Sequence, residues 1–337
     1  MGATFQPAQL RTRANGKKRA RGARKGGRGG AGERGATHGA QRCSLYGEVT
    51  QRIIGELEAG RCPWVQPWDN VAAAPGLPRN AASGRTYSGI NILLLWGAVI
   101  ERGYPSQNWL TFAQALQTGG NVRKGEKGVT IVFADRFTPQ AEKERAVLVG
   151  DDPRQVPFLK RFTVFNAAQC EGLPGRMSET PAPLAERQQI PVAERLIAAT
   201  GADFRIGGTK AFYCPPDDYV AVPPQPAFRA QIDYYRTALH ELGHWTGHSS
   251  RLARDLSGRF GSPAYAREEL TAELASAYLC ASLSIQPTVR HAEYIGSWLE
   301  VLRNDERAIF RAAGKASKAA DFLLGFTGQA AYGEQAA

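Results

Sequence analysis

The feature that most constrains this chain is the stretch 234–252, YYRTALHELGHWTGHSSRL, because it carries His240-Glu241-Leu242-Gly243-His244, a complete H-E-x-x-H. On a helix, residues four apart share a face, so His240 and His244 aim two imidazoles at one metal ion. Glu241, one step round, lies beside that metal and can take a proton from a water molecule. Helix formers precede the motif, and Gly247 with Ser249 and Ser250 supplies a stop. The pattern predicts a zinc site on a helix.

A catalytic zinc takes three protein ligands and keeps one position open. The long zincin pattern H-E-x-x-H-x-x-G-x-x-H is excluded: Gly247 is present, but the last position is Ser250. His248 is one alternative donor, placed where the helix should be ending. A better one lies in a second predicted helix, 264–282, with Leu270, Leu274, Ala277 and Tyr278 as its buried stripe and with Glu268, Glu269 and Glu273 among its acids. Glu269 and Glu273 share a face. One-glutamate zinc peptidases use such a pair as a ligand and a carboxylate that orients a ligand histidine. On that pattern Glu269 is the third ligand and Glu273 the supporting acid, with the reverse order left open. Tyr265, Tyr278, His248 and His291 are all candidates for stabilising a transition-state oxyanion. A purely structural zinc is a rival reading, but an intact Glu241 speaks against it.

At 337 residues the chain has room for two domains. No apolar run approaches the ~20 residues of a membrane span, and no apolar segment follows the basic N-terminal residues as in a secretory leader. Cys43, Cys62, Cys170, Cys214 and Cys280 are odd in number and scattered, which argues for a reducing compartment and against a cysteine-bound metal. A cytoplasmic location is expected. The net charge of +11 is uneven: residues 1–42 hold eleven Lys/Arg against one acid, residues 43–170 fourteen against eleven, and residues 171–337 seventeen against nineteen. The basicity is therefore a property of a Gly/Arg-rich tail, expected to be disordered and able to contact phosphate backbones.

Along the chain, periodicity predicts a helix over 46–60, an apolar helix or strand within 84–104, a helix over 108–120, strands at 129–133 and 159–170, and a Pro-rich linker at 171–190. A helix opened by Pro191, short strands at 204–213 and 219–222, the two motif helices and a helical 291–325 follow. The expected class is α+β, with a tail (1–42), an N-terminal domain (43–170), the linker (171–190) and a C-terminal domain (191–330). The N-terminal domain holds Trp64, Trp68, Trp96 and Trp109, accompanied by Arg85, Tyr87, Asn91, Arg123, Lys124 and Lys127. Aromatic faces stack unpaired bases and cations track phosphates, so this set marks candidates for gripping a nucleic-acid single strand. Tryptophans in a core would look the same in sequence.

The runs RTYSGINILLLW, WLTFAQA and GGNVRKGEKG with IVF after it, then YYRTALHELGHWTGH, RFGSPAYAREELTAEL and YIGSWL, resemble plasmid antirestriction proteins of the ArdC type over residues 44–330. Their N-terminal domain is similar to part of the plasmid primase TraC. The resemblance implies an N-terminal single-stranded-DNA-binding domain, with Arg85, Tyr87, Asn91, Trp96, Arg123, Lys124 and Lys127 its candidate contacts, joined to a zincin-like metallopeptidase domain. It further implies protection of incoming plasmid DNA, with Zn2+ as cofactor and an unknown protein as peptidase substrate. The alternative is an active peptidase for which DNA binding serves only localisation. The basic tail lies outside the resemblance.

Overall fold

The computed structural model describes residues 44–65, 76–149, 152, 154–178, 186–285 and 294–328. The basic tail, Trp68, His291 and residues 179–185 of the expected linker lie outside the described residues.

The N-terminal half opens with α1 (Leu45–Glu58), capped by the Ser44 hydroxyl, which accepts the Gly47 N–H at 3.0 Å. Its buried face is the expected one: Val49, Ile53, Ile54 and Leu57. The apolar stretch after Gly89 resolves as α2 (Ile90–Arg102), buried on nearly every side and stopped by Gly103 in the left-handed conformation. A four-stranded sheet follows in the order β1-β2-β5-β4, built from β1 (Arg79–Asn80), β2 (Asn108–Leu110), β4 (Val129–Phe137) and β5 (Val156–Asn166). β1 runs parallel to β2, and the other pairings are antiparallel.

Two expectations change here. Residues 108–110 are strand, and only α3 (Phe112–Gln117) is helical, because Thr111 and Gln114 form a reciprocal capping box that starts the helix after the strand. Strand β4 continues four residues past Phe133, paired throughout with β5. A small ribbon pairs β3 (Asn121–Val122) with β6 (Cys170–Glu171). The short helices α4 (Gln140–Val149) and α5 (Gly175–Ser178) complete this half.

In the C-terminal half α6 (Glu186–Thr200) begins before Pro191 and carries it internally; the proline forgoes one helical N–H bond but does not open the helix. The expected strand 204–213 divides into β7 (Asp203–Ile206) and β8 (Phe212–Cys214), separated by a turn in which Gly208 has φ +69°. With β9 (Tyr219–Val222) they form a sheet ordered β7-β9-β8, so β8 is an edge. The motif helices are α7 (Gln231–Trp245) and α8 (Pro263–Ser282), followed by α9 (Ile295–Asn304) and α10 (Ala308–Gly325).

One continuous apolar cluster serves both halves, running from Val49 to Leu324. Trp64 meets Trp298 edge to face at 5.6 Å, and Trp96 meets Tyr278 at 5.8 Å. Polar bonds join the halves at Gly89, whose N–H donates to Ser317 and whose carbonyl accepts the Tyr278 hydroxyl. Because Tyr278 belongs to α8, the helix that carries the glutamates is fastened directly to the N-terminal half.

Candidate metal centre

Helix α7 places His240 and His244 on one buried face, with ring centroids 4.9 Å apart and planes nearly perpendicular. Helix α8 packs against it and brings Glu269 between them. The Glu269 carboxylate lies 3.6 Å from His240 Nε2 and 3.5 Å from His244 Nε2. Taken one atom per residue, the donors of His240, His244 and Glu269 fall within 4.8 Å of one another. The set fits a divalent ion: two imidazoles and a carboxylate, with His240 and Glu269 buried, His244 partly so, and their lone pairs converging. Among the described residues no other group of three His, Cys, Asp or Glu side chains does so.

The outer faces of both imidazoles also meet carboxylates. Glu273 lies 3.4 Å from His240 Nδ1, and Glu268 lies 3.2 Å from His244 Nδ1. Such contacts fix the tautomer and orient the ring so that Nε2 is presented to the metal. Glu268 is itself held by Arg254, whose guanidinium donates to both carboxylate oxygens, to the Gly243 carbonyl and to the Thr246 hydroxyl. Arg254 thereby shares the Gly243 carbonyl at the end of α7 with the Thr246 hydroxyl, and Arg251 donates to the Trp245 carbonyl at 2.6 Å.

Burial alone would keep both imidazoles neutral. Without metal the surrounding carboxylates outweigh it, Glu269 and Glu273 for His240, Glu268 and Glu269 for His244, and both pKa values rise above the ordinary imidazole range. Burial pushes the Glu241 carboxyl above the usual carboxylate range, opposed by the two histidines and by the Tyr213 backbone N–H that donates to it. A carboxylate whose pKa is raised in this way is a better proton acceptor than an ordinary one.

A cavity opens over His240, Glu241, His244 and Glu269, walled by Phe212 and Tyr213 of edge strand β8 and by Leu256, Gly258, Tyr265 and Tyr294 opposite. Of the oxyanion candidates, Tyr265 lies in this cavity with its hydroxyl 3.1 Å from that of Tyr294. Burial, Tyr294 and Glu269 hold its pKa far above the usual phenol value, so it remains a neutral donor. Tyr278 points away to Gly89, and His248 engages Ser250 outside the cavity lining.

Arg254 and Tyr294 have no role in the sequence reading, and Glu268 appears there only as one of the acids of the second helix. A signal for Glu268 did exist. If α8 runs antiparallel to α7, the four-residue step from His240 to His244 is answered by a step of similar length backwards from Glu273, to Glu268 or Glu269.

The candidate DNA contacts divide. Trp96 is fully buried and its indole N–H donates to the Gly76 carbonyl, while Trp64 and Trp109 are also wholly inside. A ring without an exposed face has none to offer a base. Asn91 is buried and pins β4, exchanging two hydrogen bonds with the Val132 backbone at 2.8 and 2.9 Å. Tyr87 is buried in the same core. Arg85, Arg123, Lys124 and Lys127 are exposed; Arg123 donates to Glu126 and to the Ala168 carbonyl.

Residues 44–165 match the family described as the N-terminal domain of anti-restriction factor ArdC, and residues 191–315 match the zincin-like metallopeptidase family. The metal-free crystal structure of the antirestriction ArdC protein from plasmid R388 superposes with a TM-score of 0.71 at 40% identity, over 84% of this chain and 98% of that one. Its Mn(II)-bound form superposes with a TM-score of 0.68 at 41% identity, over 87% and 100%. An uncharacterised protein of Sinorhizobium fredii, y4eC, is 44% identical over 83% of this chain and 91% of its own length. An Escherichia coli DNA primase, TraC, is 40% identical over 84% of this chain, which spans only 27% of that enzyme. With both halves matched in order and joined by one core, the chain belongs to the ArdC antirestriction family, an N-terminal ArdC domain followed by a zincin-like metallopeptidase domain.

Proposed function

We propose that the chain binds single-stranded DNA through its N-terminal half, protects incoming plasmid DNA from restriction in the cytoplasm, and carries a zinc peptidase centre directed at a protein substrate. The observation that carries the catalytic part is the convergence of His240, His244 and Glu269 beside a buried Glu241. A structural site has no use for a base there, nor for a cavity above it.

His240, His244 and Glu269 would hold the ion, and Glu273 and Glu268 would keep the imidazoles aimed. Zinc, when bound, would supply Lewis-acid polarisation of a peptide carbonyl. Glu241 accepts a proton from the attacking water and returns it to the leaving amine. The Tyr265 hydroxyl, kept protonated, donates to developing negative charge on the carbonyl oxygen. Strand β8, the edge of its sheet beside the cavity, is where an extended peptide would add. The same three donors accept other divalent ions, so manganese, named for the R388 relative, belongs in any metal comparison.

The test is survival of unmodified DNA in a restricting host that makes wild-type protein or Glu241→Gln. No gain in survival with wild type would sink the antirestriction reading. Equal protection by Glu241→Gln would separate protection from proteolysis. Loss of protection in a variant with normal metal content would instead favour the second reading, in which cleavage is the activity and DNA binding only localises it.

A further inference from the structure

The β4/β5 hairpin carries aromatic rings that the core does not use. Its register sets Val129 opposite Val164, Ile131 opposite Phe162, Phe133 opposite Lys160 and Phe137 opposite Val156. Opposite residues share a face and side chains alternate along each strand. Phe133, Phe137, Phe158, Phe162 and Lys160 therefore all stand on one face. At the base of the hairpin that face is covered, for Val129, Ile131 and Val164 are buried. Beyond them the cover stops, and Phe133, Phe137 and Phe162 are 45%, 48% and 43% exposed.

The rings are ordered against one another rather than scattered. Phe133 meets Phe162 edge to face at 5.3 Å, Phe137 meets Phe158 at 5.4 Å, and the Lys160 ammonium lies 5.3 Å from the Phe158 ring centre. An exposed apolar row of this kind marks an interaction site. Its chemistry selects the occupant. Aromatic faces accept bases without regard to sequence, and a cation set within the row meets the phosphates between them. A second copy of the chain docked face to face on the same row would set its own Lys160 near this one, an unfavourable pairing of like charges.

We propose that Phe133, Phe137, Phe158 and Phe162, with Lys160 among them, form the platform on which unpaired bases stack. This rests on the reading that the N-terminal half binds single-stranded DNA. It moves the stacking surface from the tryptophans, which are buried, to phenylalanines on the outer part of the hairpin.

The experiment uses the full chain, a labelled mixed-sequence oligonucleotide as single strand and as duplex, and fluorescence anisotropy over a range of salt. The pair Phe133→Ala with Phe162→Ala should weaken single-strand binding roughly tenfold or more without changing its salt slope. Lys160→Ala should reduce the slope by about 0.7. Phe133→Leu with Phe162→Leu, which keeps apolar bulk and hence the fold, should lose binding like the alanine pair, while Phe133→Trp should keep it. If wild type shows no preference for the single strand, the underlying reading fails. If wild type prefers the single strand and the folded leucine pair binds equally well, this inference alone is overturned. If wild type self-associates and the leucine pair breaks the association without touching DNA binding, the row is a contact between copies and the inference is likewise overturned.

Discussion

Glu268 Oε1 lies 3.2 Å from His244 Nδ1 while the same carboxylate is gripped by Arg254 at 2.7 to 3.2 Å. The face of α7 that carries His240 and His244 is thus braced from the loop that follows it. Glu268→Gln keeps the shape but weakens the acceptor, and should lower metal affinity by about 10- to 100-fold with the fold intact. Glu268→Ala should additionally cost about 3–5 kcal/mol of stability, because it strands the buried Arg254 guanidinium. Chelator competition and denaturant unfolding check the two effects. Wild-type affinity in Glu268→Gln would remove Glu268 from the metal machinery.

Metal uptake should release protons. In the metal-free protein burial disfavours charged imidazoles, but the neighbouring carboxylates prevail and raise His240 and His244 above their ordinary value of 6.5. Groups with raised folded-state pKa values stabilise the metal-free fold at pH below that ordinary value, and this stabilisation is lost as pH rises through the raised values. The ion requires neutral rings, so its affinity follows the opposite trend. Thermal unfolding with and without added zinc should show the metal-free Tm falling, and the increment from zinc growing, as pH rises from about 6.5. An increment independent of pH would contradict the carboxylate-raised histidines.

Trp96 should behave as a core residue. It is fully buried, packs on Tyr278 and donates to the Gly76 carbonyl. Trp96→Ala should destabilise by about 3–5 kcal/mol, and Trp96→Phe by less. Single-strand affinity of the folded Trp96→Phe protein should match wild type. Lost affinity at undiminished stability would return Trp96 to the DNA surface.

Gly258 should be intolerant of a side chain. A Cβ there would come within 2.5 Å of the Tyr265 nitrogen and 2.9 Å of the Ala264 carbonyl carbon, both backbone at the start of α8. Gly258→Ala should cost about 1–3 kcal/mol and displace Tyr265 from the cavity. Gly314→Ala, in the interior of α10 with open space at its Cβ, should instead stabilise by up to about 1 kcal/mol. Denaturant midpoints for the pair would decide, and equal shifts would mean that the Gly258 loop gives way.

The sequence by itself determined what depends on neighbours a few residues apart. The His240/His244 face, the adjacent Glu241, the Leu270 to Tyr278 stripe and the amphipathic α1 all follow from helical periodicity, which acts over one or two turns. The order of the two halves was legible from the motif runs that carry the family resemblance.

Tertiary structure decided what depends on which surfaces are covered. That Glu269 reaches both histidines while Glu268 and Glu273 stand behind them is set by how α7 and α8 pack, and no spacing within one helix contains that. Residue type marked Trp96 and Asn91 as equal in promise to Lys124, yet the core took the first two and left the third in water. The rings of Phe133 and Phe162 read in sequence as an ordinary strand interior. Exposure is a property of the layer that lies over a side chain, and among the described residues Phe133, Phe137 and Phe162 are left largely uncovered.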